Sequence, residues 1–174
     1  MYLITGAQAA GKSTVAQALA ERLPAPSVHV HGDQFRRWIV NGRLDLTPEL
    51  DREAVEQLHL RYRLTAATCD LYAESGFSVV AQDVVLGPYL QVVVDLIRFR
   101  PLHVVVLAPR ADVVVERGRR RHKDTGDRWT VDLLDHGLRH DTPRLGLWLD
   151  TSDHTVDRTV DAILGRSAEA LVAR

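Results

Sequence analysis

The sequence predicts an α/β fold: a five-stranded parallel sheet as the middle of three layers, with helices on both faces. Two observations predict it. Short apolar runs with strand character alternate with longer stretches of helical spacing along the 174 residues, the pattern that builds a parallel sheet through crossover helices. The first strand-to-helix turn is Gly6-Ala7-Gln8-Ala9-Ala10-Gly11-Lys12-Ser13, a glycine-framed stretch that belongs between a strand and a helix. The length suits one domain, residues 1–174, with its own core.

Bulk properties exclude several classes. With a net charge of −1 and a pI near 6.7, no global field favours nucleic acid or anionic lipid, so neither is expected as a partner. Cys69 is the single cysteine, which rules out intramolecular disulfides and cysteine-rich zinc sites; a buried, inert thiol is expected. No charged leader precedes the first strand and no run reaches membrane-span length. A cytoplasmic protein fits.

The elements follow in order. Residues 1–5 read as the first strand, and Thr14 to Leu23 as the first helix, with Val15, Ala18, Leu19 and Leu23 in step. The turn between them fits G-x-x-x-x-G-K-[ST], the Walker A loop. Glycines at 6 and 11 let successive N–H groups face inward. The helix start adds its partial positive charge, Lys12 a mobile full charge, and the Ser13 hydroxyl a hard ligand for Mg²⁺. The loop through Thr14 is therefore the expected binding site of a nucleoside triphosphate, ATP with Mg²⁺.

Residues 27–31 alternate as a second strand. Gly32-Asp33 ends it, and a helix is expected over 34–40. Asp33 has two readings, a helix cap or a carboxylate at the ligand-facing end of the sheet that receives an acceptor hydroxyl. Thr47 and Pro48 are the expected start of a long helix reaching Ser75. Its arginines at 52, 61 and 63 read as solvated charges, one of which reaches a substrate if the helix covers a pocket. Gly76 stops that helix, and residues 77–81 form a buried third strand. Asp83 directly after it has the Walker B pattern, a carboxylate behind the metal or beside the acceptor.

A helix over 88–99, a strand over 102–108 and a helix from Pro109 come next. Arg119 to Arg128 is a basic run flanked by Arg117. Thr130 is the expected cap of a helix through His140. Residues 145–149 read as the fifth strand, 156–164 as the closing helix, and the chain after Gly165 as a fraying end.

Taken together, the loop Gly6 to Ser13, the stretch Gln82-Asp83-Val84-Val85-Leu86-Gly87 and Gly126-Asp127-Arg128 resemble the chloramphenicol phosphotransferase-like group of small-molecule kinases. That group lies within the nucleoside monophosphate kinase branch of P-loop proteins. The resemblance implies a P-loop NTPase fold with sheet order 2-3-1-4-5 and a basic lid near residues 118–130. It implies an ATP-dependent phosphotransferase acting on a hydroxyl of a small molecule, an antibiotic or related metabolite. Asp33 falls where that group has its catalytic aspartate. Lys12, Arg117 and Arg128 would act on the phosphates, Ser13 and Asp83 would hold Mg²⁺, and Arg36, Arg37, Trp38, Tyr62 and Asp83 would face the acceptor. His31-Gly32-Asp33-Gln34-Phe35-Arg36 is also similar to the adenylylsulfate kinase signature, with His31 and Gln34 as departures. A nucleotide-binding regulatory module and a nucleic-acid end kinase are the rival classes.

Overall fold

A computed structural model describes residues 1–44, 51–120 and 133–173. Its centre is β1 (Tyr2–Gly6), every residue of which is buried. Around it the strands run in the order β2-β3-β1-β4-β5, where β2 is Ser27–His31, β3 Ser78–Gln82, β4 Leu102–Leu107 and β5 Leu147–Leu149. All five are parallel. The implied order is the observed one.

Side chains on each strand alternate between two cores, as the two-residue period of a pleated strand requires. Leu3, Val79, Ala81, Val104 and Val106 face α3 (Arg52–Glu74) and α4 (Tyr89–Leu96), which add Tyr62, Cys69, Leu90 and Val93. Ile4, Val80, Val105 and Leu107 face α1 (Lys12–Arg22) and the closing helix Val156–Gly165, which add Leu19, Val160 and Ile163. Ile4 and Leu19 are completely buried, and burial of each such side chain contributes about 1.5–3 kcal/mol. Burial pushes the Cys69 thiol up to about 12, so it stays an inert core group.

The structure corrects several element boundaries. The helix expected over 34–40 is α2, Gly32–Arg37. The long helix α3 begins at Arg52, where Asp51 caps it by accepting from the Glu53 N–H; Thr47 and Pro48 lie outside the described residues. The helix expected to reach 99 ends at Leu96 because the buried Asp70 carboxylate takes the Arg98 and Phe99 N–H groups at 2.9–3.2 Å, which turns the chain. Gly137–Asp141 is a π-helical turn, and Thr130 lies outside the described residues. The expected fraying end is ordered: Ser167–Ala170 is helical and β6 (Leu171–Val172) pairs antiparallel with β4. Burial of Ala170 and Val172 explains it. No described helix is long and apolar enough to cross a membrane.

Candidate active site

The loop after β1 has the backbone its glycines predict. Gly6 has φ +146° and Gly11 φ +99°. A Cβ on Gly6 would press on the Leu107 backbone, 3.3 Å from its carbonyl carbon. Ala9 holds φ +61° without being glycine, which costs roughly 1–2 kcal/mol. Ala10 N–H donates to the Ala7 carbonyl at 3.2 Å and closes the turn. Gly11 is the N-cap of α1 and supplies no side-chain cap hydrogen bond, so the helix start turns backbone N–H groups toward a ligand. Lys12 is buried; its Nζ donates to the Gly6 and Ala7 carbonyls at 3.0 and 2.8 Å. Gln8, Ala9, Gly11, Lys12 and Ser13 line one wall of the cleft described next. Ala7 and Ala10 pack inward, and Thr14 sits in the exposed first turn of α1.

The register of the sheet sets the carboxylates beside this loop. Gln82 pairs with both Ile4 and His31, so β2 and β3 end at one level while β1 runs on to Gly6. Beyond that level Asp83 N–H donates to the Ile4 carbonyl at 3.2 Å. Thr5 and Val85 lock the same junction reciprocally: Thr5 Oγ1 donates to the Val85 carbonyl at 2.8 Å and accepts from its N–H at 2.9 Å. Asp33 stands in the first turn of α2, whose N-cap is His31; it is not a cap. Loop, Asp33 and Asp83 open onto one cavity of about 860 Å³ at the carboxyl ends of the strands, where open parallel sheets bind ligands.

Arg61 joins the two acids. Read as a solvated helix charge, it is instead nearly buried, with 11% side-chain exposure. Its Nε donates to Asp83 Oδ2 at 2.7 Å and its Nη2 pairs with Asp83 Oδ1. Its Nη1 lies 3.5 Å from Asp33 Oδ1. Asp33 Oδ2 accepts from Arg37 Nε at 2.7 Å. Burial pushes the Arg61 guanidinium below its ordinary value, and Asp33 pulls it back up. Gly32 has no positive φ; its hydrogen leaves the space that Asp83 fills, since a Cβ there would lie 2.6 Å from Asp83 Cγ. No local sequence signal marks Arg61, because its partners come from β2–α2 and β3.

The remaining expected residues are divided. Arg36, Arg37 and Tyr62 line the cleft; Tyr62 hydroxyl donates to the Val84 carbonyl at 3.3 Å, and burial pushes it up to about 12. Trp38 is 65% exposed, stands edge-on to Phe35 and is not among the cleft-lining residues. Arg117 on α5 (Ala111–Arg120) bridges the loop and the turn after β5, donating to the Ala10 carbonyl at 3.4 Å and the Thr151 carbonyl at 2.8 Å. Arg128 and most of the expected lid lie outside the described residues. For Mg²⁺, Ser13 fits: its hydroxyl borders the cleft beside the phosphate cradle. Asp83 fits poorly, because Arg61 holds both its oxygens.

A Walker A loop directly after the central strand of a 2-3-1-4-5 parallel sheet defines a protein of the P-loop kinase fold. Within that fold the chain belongs to the chloramphenicol phosphotransferase-like proteins, whose family model matches residues 1–167. No curated sequence matches it significantly. Among solved structures it is similar to a sugar kinase from Janibacter sp. HTCC2649, at 19% identity over 97% of this chain and 94% of that one, with a TM-score of 0.70. The tunicamycin resistance protein of Deinococcus radiodurans is similar at 19% identity over 99% and 98%, TM-score 0.68. The APS kinase of Mycobacterium tuberculosis, solved with AMPPNP and APS, is similar at 16% identity over 96% of each chain, TM-score 0.67. At such identities the likeness establishes the fold.

Proposed function

We propose that this protein is an ATP-dependent phosphotransferase whose acceptor is a hydroxyl of a small organic molecule, an antibiotic or a related metabolite. One observation carries the reading: the phosphate cradle and Asp33 line the same cavity. The family and the kinase fold of its neighbours support the phosphotransferase class. The family's description and the tunicamycin resistance protein support an antibiotic-like acceptor.

In this reading the loop amides of residues 8–13 and the N-terminus of α1 hold the β- and γ-phosphates of ATP. Lys12 exchanges its two carbonyl partners for phosphate oxygens, an exchange favoured by full opposite charges. Mg²⁺, held by Ser13 and the phosphates, would supply charge neutralisation. Asp33 accepts a hydrogen bond from the acceptor hydroxyl and takes its proton as the new P–O bond forms and the bond from the γ-phosphorus to the ADP oxygen breaks, ADP leaving. Because phosphoryl transfer is loose, positioning is the larger part of this contribution. Arg36, Arg37 and Tyr62 flank the acceptor. Arg117, with Arg128 from the lid, closes the nucleotide side and excludes water. The protein works in the cytoplasm, where ATP is supplied.

A screen of hydroxylated small molecules for acceptor-stimulated ADP release tests this. At least one acceptor should raise ADP release well above the basal rate. Asp33→Asn should then retain ATP binding and lose about 10²–10⁴-fold in transfer rate. Transfer by Asp33→Asn within a few-fold of wild type would remove Asp33 from the reaction.

A further inference from the structure

Arg61 has a geometry that an isolated surface pair lacks. Its guanidinium meets Asp83 edge to edge, through Nε and Nη2, the fork-to-fork arrangement that a lysine cannot make. Asp83 is 2% exposed, and its Oδ1 also accepts from the Val84 N–H at 2.7 Å. A carboxylate so buried is tenable only when paired. With one edge committed to Asp83, the guanidinium presents its remaining amino group, Nη1, toward Asp33. Gly32 keeps the β2–α2 junction close enough for Asp83 to pack against it. Four residues from three segments thus form one unit; Asp33, Arg61 and Asp83 all line the cleft, and Asp33 is the most exposed of the three.

We propose that Asp83 is the anchor of Arg61 rather than a ligand of Mg²⁺, and that Arg61, on the Oδ1 side of Asp33 with Arg37 on the Oδ2 side, helps to position that carboxylate for the acceptor hydroxyl. The proposal rests on the reading of Asp33 given above and adds the device that holds it. Both Asp83 oxygens already receive N–H groups, so a metal there would have to displace the guanidinium. Ser13, at the start of α1, has no such competitor among the described residues.

The test uses the full chain with three variants: Asp83→Asn, which keeps the shape, Arg61→Lys, which keeps the charge but not the fork, and the double change Asp83→Asn with Arg61→Met, which removes both buried charges and therefore folds without an orphan ion. Two quantities are read, the affinity for Mn²⁺·ATP by electron paramagnetic resonance and the kcat for the accepted hydroxyl. Mn²⁺·ATP affinity should stay within about twofold of wild type in all three. The kcat should fall about 10–100-fold in each single variant. The double variant should be no slower than the slower single, as members of one unit lose the same thing only once. The proposal is overturned if Asp83→Asn weakens Mn²⁺·ATP tenfold or more, if Arg61→Lys matches wild type, or if the double variant multiplies the single losses. The metal arm needs no acceptor. If wild type transfers to no hydroxyl at all, the kinase reading fails while the assignment of Asp83 is still decided by the metal.

Discussion

An alanine at position 32 would put its Cβ 2.6 Å from Asp83 Cγ. The Asp83 carboxylate cannot swing away cheaply, because Arg61 and the Val84 N–H hold it. Gly32→Ala should therefore destabilise the fold by about 1–3 kcal/mol, the usual cost of overpacking, and lower kcat more than it raises the KM for ATP. Denaturant unfolding and steady-state kinetics check both; a variant with unchanged midpoint and kcat would show that the junction yields. At this scale the loop was legible from sequence. Gly6, Gly11, Lys12 and Ser13 recur at a spacing that one ligand chemistry requires. Arg61 was not legible, since an arginine on an amphipathic helix reads as solvated until tertiary packing brings two acids to it. Trp38, an aromatic beside Arg36 and Arg37, is exposed and is not among the residues that line the cleft.

Two elements carry consequences of their own. Asp70 on α3 ends α4 by accepting the Arg98 and Phe99 N–H groups from a nearly water-free position. Asp70→Ala would leave these donors without that acceptor, and hydrogen bonds to charged groups are worth about 1.5–3 kcal/mol each. A loss of about 2–4 kcal/mol in unfolding free energy is expected, with little change in kcat; a loss below 0.5 kcal/mol would contradict the role. On β2, the His29 ring lies tilted against His31 at 3.8 Å, its Nδ1 bonds Gln17 Oε1 at 3.0 Å, and its buried Nε2 has no hydrogen-bond partner among the described residues. Burial first, then His31, pushes His29 down to about 4 from its ordinary 6.5. The folded chain thus keeps His29 neutral where the unfolded chain protonates it. Its contribution to stability is complete above pH 6.5 and is lost as pH falls toward 4. His29→Gln should flatten the decline in melting temperature between pH 6.5 and 4; an unchanged slope would place the acid sensitivity elsewhere. The five parallel strands were readable because four are apolar runs bounded by glycine, proline or acid and β2 alternates. β6 was not, because a strand of two residues carries no pattern, and its pairing with β4 is decided by burial of Val172. The end of α4 was equally hidden, being set by a carboxylate 26 residues before it on another helix.

The whole molecule places its chemistry on one edge. β2 and β3 end level with Ile4 and β1 runs on only to Gly6, so a loop built for phosphate and an acid built for a hydroxyl come to share one cavity although they lie in separate segments of the chain. Overall charge adds no steering, at −1 for the full sequence; recognition is left to the fixed donors of the cleft. Every role assigned to Asp33, Arg61 and Arg117 depends on a nucleotide lying in the cradle of Gly6 to Ser13. Equilibrium dialysis of Mg²⁺·ATP against the intact chain and against Lys12→Ala measures that directly. The account predicts one ATP per chain for the wild type and affinity at least tenfold weaker for Lys12→Ala. No binding to the wild type at millimolar ATP, or equal binding by the two proteins, would contradict it.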